Sequence, residues 1–292
     1  MARVAVVTDS NSGITQAGGA ELGVTVIPMP FTIDGVEFLE DINLSQEEFY
    51  EKLINHCEIK TSQPSPESVM KYWDKVLEDA DELVYIPMSS GLSGSCQTAR
   101  MLAEDYDGKV EVVDNQRISS TMRQSVLDAL LLASKGMNAA QIRKALEDDK
   151  YNSSIYLTVE TLEYLKNGGR ITPAVAMIGQ LLKIKPVLQI QGEKLDAYSQ
   201  VRTATKAKEV MLNAIEKDIV ERFGGTKTGK GVTLHFAHTK NEEAMMSLLE
   251  DAKKRFPDAD GFYTSPLSLS VSCHIGPGLF AVLCTKNSFA NL

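Results

Sequence analysis

Apolar and polar positions follow two different rhythms along this chain. Residues Arg3–Thr8 and Glu82–Ile86 are short apolar runs, the pattern of parallel strands buried on both faces. Val24–Ile27 and Lys109–Asp114 have the same strand length. Helical spacing appears over 67–79, 96–104, 120–134 and 139–148. Ser45–Glu48 is a capping box ahead of a helix with Phe49, Leu53 and Ile54 on its apolar face. Asp34-Gly35 marks a hairpin. Strands alternating with helices predict βαβ units and a parallel sheet, an α/β domain over residues 1–152. Beyond it the rhythm changes. The pattern predicts a strand over 154–159, a helical turn over 160–167 stopped by Gly168 and Gly169, and a helix over 174–182 opened by Pro173. A hairpin over 187–199 turns at Gln191, Gly192 and Glu193. Helices over 205–223 and 242–255, with strands at 232–236, near Phe262 and at 280–284, complete an α+β domain with a mixed sheet over 153–292.

One stretch between a strand and a helix carries unusual chemistry. Residues Ser89–Ser95 hold four serines and two glycines in seven positions. A Ser/Gly turn at a helix start offers unpaired backbone N–H groups and hydroxyls, which suits a phosphate or a carboxylate. An N-capped turn needs fewer such residues. Thr61–Pro66 is a second hydroxyl-rich turn, which Pro64 and Pro66 hold extended before a helix.

The totals narrow the field. With 292 residues and a net charge of −9, the chain argues against a nucleic-acid surface, so an anion site has to be a local pocket. Cys57, Cys96, Cys273 and Cys284 show neither a C-x-x-C motif nor zinc spacing, and they read as reduced thiols. No signal-peptide pattern opens the chain and no 18-residue apolar stretch exists, so a cytoplasmic location without a transmembrane segment is expected.

Several motifs fail on inspection. Gly91–Ser95 approaches the G-x-S-x-G elbow of hydrolases, but Ser95 stands where the second glycine belongs. A serine hydrolase acting on acyl esters through Ser93 stays as an alternative. Gly224–Gly231 approaches a P-loop, but Gly231 replaces the magnesium-binding hydroxyl, and a helix precedes it where a strand should. His235, inside a strand, reads as a satisfied structural histidine, and His56 falls near a helix end. His274 differs: it stands before Gly276-Pro277-Gly278, between two strand-like segments, on what reads as a rigid functional loop. Arg170 follows the helix stop at Gly168-Gly169.

Taken together these residues resemble one family. Thr8-Asp9-Ser10, Thr61-Ser62-Gln63-Pro64, Ser89–Ser95, Gly168-Gly169-Arg170 and His274–Gly278 occur in the order seen in the DegV family. Its characterised members are fatty-acid-binding FakB subunits of bacterial fatty acid kinase. The resemblance covers nearly the full length. It implies a long-chain fatty acid as ligand, its tail in an apolar tunnel between two domains. Thr61, Ser62, Ser93 and Gly94 would bind the carboxylate, with His274 near the head group. Arg170, His274 and Arg202 would support phosphoryl transfer. The resemblance further implies no intrinsic cofactor or metal. ATP and magnesium would sit on a partner, a kinase subunit related to dihydroxyacetone kinases. A carrier of another hydrophobic acid without such a partner is the remaining alternative.

Overall fold

The computed structural model describes residues 2–55, 57–172, 175, 184–192, 194–290 and 292. The helix expected over 174–182 lies outside the described residues except for Val175, which is helical and buried. His56 and Glu193 also lie outside them. The chain divides into two compact units. The first comprises Met1–Lys150 with Ser268–Ser270 and Phe289–Leu292; the second comprises Tyr151–Leu267 and Val271–Ser288.

The first unit is built on strands β1 (Val4–Asp9), β2 (Thr25–Ile27), β6 (Glu82–Ile86) and β7 (Val110–Val112). They form an all-parallel sheet in the order β2-β1-β6-β7. Side chains alternate across a strand, and both faces here are apolar. Val6, Val84 and Ile86 pack against Met122, Val126 and Ala129 of α5 (Ser119–Ser134) and Ile142 and Leu146 of α6 (Ala139–Asp148). Val7, Leu83 and Tyr85 face the other way, onto Val69 and Trp73 of α3 (Pro66–Leu77) and Cys96 and Ala99 of α4 (Ser95–Ala103). Helix α1 (Gln16–Leu22) joins β1 to β2. From β1 the chain goes to β2 on one side, while β6 enters on the other. The crevice between the carboxyl ends of β1 and β6 is therefore a topological switch point, where open α/β sheets bind ligands.

A small antiparallel sheet, β4-β3-β5, belongs to the same unit; its β3–β4 hairpin was expected at Asp34-Gly35, and its third strand was not. Its strands are β3 (Pro30–Ile33), β4 (Val36–Leu39) and β5 (Ile59–Thr61). The β3–β4 hairpin turns through Asp34 (φ 49°) and Gly35 (φ 81°), both left-handed as a type I′ turn requires. Phe31 of β3 meets Phe49 of α2 (Gln46–Ile54) edge-on at 6.0 Å. The expected capping box is formed at the start of α2, with Glu48 N–H donating to Ser45 Oγ at 3.2 Å. Thr61 ends β5, opposite Phe31.

The second unit has a six-stranded mixed sheet in the order β10-β9-β8-β13-β11-β12. The strands are β8 (Ser153–Thr158), β9 (Lys185–Ile190), β10 (Leu195–Val201), β11 (Val232–His238), β12 (Gly261–Pro266) and β13 (Phe280–Lys286). Only β11 and β12 run parallel. Met211, Ile215 and Ile219 of α8 (Ala204–Glu221) and Met245 and Leu248 of α9 (Glu242–Arg255) share one apolar cluster with Val232, Leu234, Phe236 and Val282. Two short helices follow, α7 (Glu163–Gly168) within the unit and α10 (Leu269–Ile275), whose residues from Val271 onward belong to it. The second corrects the sequence reading: His274 lies in the last turn of a helix, not in an irregular loop between strands. His235 is buried in β11 and bonds Thr285 Oγ1 at 2.9 Å, the structural role expected of it. The near P-loop runs between α8 and β11, with the helix before it and the strand after it.

Candidate functional site

The loops after β1 and β6 meet at the switch point. Asp9, at the end of β1, accepts the Asn11 N–H at 2.9 Å and the Met88 N–H at 3.0 Å, so one buried carboxylate ties both loops together. Burial pushes its pKa up to about 6, against the opposing pull of those hydrogen bonds. Thr8 Oγ1 donates to the Ile86 carbonyl at 2.8 Å and pins the ends of the two strands.

The Ser/Gly loop is anchored at its start. Ser89 N–H donates to the Arg117 carbonyl at 3.0 Å. The Arg117 side chain is buried and bonded to Asp149 Oδ2 at 2.7 Å and Ser125 Oγ at 3.2 Å. Ser89 O then accepts the Leu92 and Ser93 amides at 3.0 and 3.1 Å. Gly94 is the N-cap of α4 and brings no side-chain cap. Glycine can satisfy none of the leading amides of α4 with a side chain, so only a neighbour or a ligand can. Ser93 Oγ accepts the Ser95 N–H at 3.2 Å, which leaves the Ser93 hydroxyl proton to be donated.

The second hydroxyl turn comes to the same helix start. Gln63 Oε1 accepts from Thr98 Oγ1 at 3.2 Å, and a Cβ placed on Gly94 would lie 3.7 Å from that same Oε1. Thr61 and Ser62 are thus held two and one residues, respectively, from a side chain in contact with α4. Ser62 N–H is already given to the Pro30 carbonyl at 3.2 Å, so Ser62 has its hydroxyl to offer a ligand rather than its amide. Ser65 caps α3 by accepting the Ser68 N–H at 3.1 Å, which fixes where the turn ends.

The other predicted residues lie in the second unit. Gly168 closes α7 and packs directly on His274: a Cβ there would run into the imidazole. Gly276 has φ +76°, and a Cβ on it would fall within the Tyr164 ring. Arg170 is exposed and its guanidinium donates to the Gly168 carbonyl. Burial first, and the charge of Arg170 second, push the His274 pKa down to about 4. At neutral pH this imidazole is uncharged, so of the two it is Arg170 that supplies positive charge. Arg202 is exposed just beyond β10. Thr172, two residues past Arg170, bonds Asp196 near the other end of that strand at 2.9 Å. About 20 Å of strand separates this anchor from Arg202.

Sequence reasoning missed three contributors. Gln63 enters it only as a letter of its turn. Asp9 reveals its role only through contacts across the fold. Ser95 is 5% exposed, and its Oγ has no hydrogen-bond partner among the described residues, at the very helix start where the two turns converge. The Ser/Gly richness of 89–95 was the one signal for it. Among the described residues no group of His, Cys, Asp and Glu is arranged to hold a metal ion, and no helix is long and apolar enough to cross a membrane.

A parallel α/β unit with a hydroxyl-lined helix start at its switch point, followed by a unit with a mixed sheet, defines the class of protein. The chain belongs to the DegV family, whose family model matches residues 3–287. A DegV domain-containing protein of Deinococcus radiodurans is 32% identical over 280 residues, covering 96% of this chain and 97% of its own. A solved structure of a DegV family protein from Thermus thermophilus, described by its fatty acid binding, is 29% identical with a TM-score of 0.89, covering 97% of this chain and 99% of that one. DegV of Bacillus subtilis, described as a fatty acid binding protein, is 26% identical with a TM-score of 0.86, covering 98% and 100%.

Proposed function

We propose that this protein binds a long-chain fatty acid and presents its carboxylate to a separate ATP-dependent kinase subunit, related to dihydroxyacetone kinases, for acyl phosphate formation. The observation that carries the binding half is the convergence of two hydroxyl turns on one uncapped helix start, made through Gln63, Gly94 and Thr98. The fatty acid binding described for the relatives from Thermus thermophilus and Bacillus subtilis supports the same ligand class. The Thr61, Ser62 and Ser93 hydroxyls and the Gly94 amide would hold the head group. These donors, with the positive end of α4, favour the ionised carboxylate and offset the rise in pKa that burial alone would cause. Each neutral hydrogen bond nets about 1 kcal/mol, whereas a sixteen-carbon tail in an apolar tunnel gains on the order of 10 kcal/mol. The tail sets affinity, and the hydroxyls set orientation.

In the transfer step a carboxylate oxygen would attack the γ-phosphorus of ATP on the partner, forming the acyl phosphate as the bond to the bridging oxygen breaks and ADP leaves. Arg170 offers positive charge to the transferring group, and neutral His274 offers a hydrogen bond. Arg202 is assigned to the partner-facing side on the family resemblance alone.

Mass spectrometry of the denatured, purified protein tests the first half, and release of a fatty acid is expected. Ser93→Ala should weaken fatty-acid binding about tenfold, the equivalent of 1–2 kcal/mol, with the fold intact. Repeated absence of lipid and of fatty-acid binding would overturn the reading. Adding the kinase subunit and ATP should yield acyl phosphate. Arg170→Ala should spare binding and slow that step; equal loss of binding in both variants would contradict the assigned roles.

A further inference from the structure

Buried polar side chains outside the proposed head-group site form one conspicuous group around Ser268–Ser270, a segment that clusters with the first unit although it lies more than 100 residues further along the chain. Glu40 Oε1 accepts the Leu269 N–H at 2.5 Å, and its other oxygen accepts Ser10 Oγ at 2.9 Å. Asn11 Oδ1 accepts both flanking hydroxyls, Ser268 Oγ at 3.3 Å and Ser270 Oγ. Glu40, Asn11, Ser268, Leu269 and Ser270 are all buried. Glu40 is itself set by a tight turn: Ile42 and Asn43 amides return to the Leu39 carbonyl, Leu39 N–H donates to Asn43 Oδ1, and Asp41 takes φ +62°.

We propose that Asn11 and Glu40 are positioning residues: they clasp Ser268, Leu269 and Ser270 and so fix the start of α10, the helix whose last turn carries His274. The helix has seven residues, too few to persist on local energetics. Its sequence does not favour it either, since Leu267, Leu269, Val271 and Cys273 alternate with serines at the strand period. Leu269 is the first residue of α10, and its amide is one of the orphan donors of a helix start. Ser268, the residue before it, donates its hydroxyl to Asn11. The acceptor for the Leu269 amide is Glu40, 229 residues earlier. The helix thus begins where a distant carboxylate lets it begin.

The inference stands apart from fatty-acid binding, and its test needs no ligand. Two signals are read by NMR in the full-length protein: exchange of the Leu269 amide, and titration of the His274 imidazole. Glu40→Ala should speed Leu269 exchange at least tenfold and move the His274 midpoint up by a unit or more from about 4. Glu40→Gln keeps an acceptor oxygen and should leave both signals near those of the unaltered protein. Asn11→Ala, which leaves Glu40 in place, should shift both in the same direction by less, and it carries the test if Glu40→Ala does not fold. Unchanged exchange and titration in the Ala variants would overturn the proposal. So would a Glu40→Gln protein as perturbed as Glu40→Ala, because lost charge rather than a lost acceptor would then be responsible.

Discussion

At the scale of single residues, burial decides which groups matter. Arg117 is 1% exposed and its partner Asp149 5%. Removing one member of such a pair leaves an uncompensated charge inside the protein, at a cost of about 3–5 kcal/mol. Arg117→Ala should therefore lower the stability of the first unit by that amount in urea titrations, and loosen the Ser/Gly loop whose Ser89 amide rests on the Arg117 carbonyl. Gly276 combines a left-handed backbone with the Tyr164 ring where a side chain would go. Gly276→Ala should cost more than 2 kcal/mol, and Tyr164→Ala should recover part of it, read as a coupling between the two changes. These glycines were legible as motif letters. Their partners were not, because an imidazole or a phenol ring placed on a glycine leaves no trace in local pattern.

At the scale of elements, local signals were read where local physics rules. The capping box at Ser45 and the Asp34-Gly35 hairpin each owe their form to neighbours in sequence, and the unbroken apolar runs of β1 and β6 are themselves a local pattern. Ser65→Ala should likewise cost about 1 kcal/mol, visible as a lower urea midpoint, because a single side chain caps α3. Where tertiary contacts rule, the reading failed. Strand β5 is three residues long, and it exists because Phe31, Thr32 and Ile33 of β3 pair with it. Helix α10 carries a strand-like alternation, and anchors from far away override it. The Thr61 turn and the Ser/Gly loop were each visible as chemistry. Their meeting through Gln63 belongs to the folded topology alone.

For the whole molecule, pH dependence follows from its buried carboxyls. Burial, opposed by the hydrogen bonds from Leu269 and Ser10 and aided by the charges of Asp41 and Asp9, raises Glu40 to about 7. Burial raises Asp9 and Asp128 to about 6. The folded state then holds more protons than the unfolded one between about pH 4 and 7, so these groups make stability fall as pH rises through that window. His274, depressed to about 4, acts oppositely: its contribution is lost as pH falls from 6.5 towards 4. Comparing the protein with Glu40→Gln isolates one group. The stability difference between the two should change by about 3 kcal/mol from pH 4.5 to 8, with the carboxylate form losing ground; a flat difference would show that Glu40 is not buried as described.

The placement of Ser268–Ser270 and Phe289 in the first unit also bears on synthesis. A ribosome making this chain releases β1 to α6 long before those residues appear. At about 10 residues per second, some 10 s pass between them. During that interval the nascent first unit has the Asn11 and Glu40 side chains without their later partners, and an apolar cluster still lacking Phe289. The first unit therefore reaches its final form only after those later residues have been made.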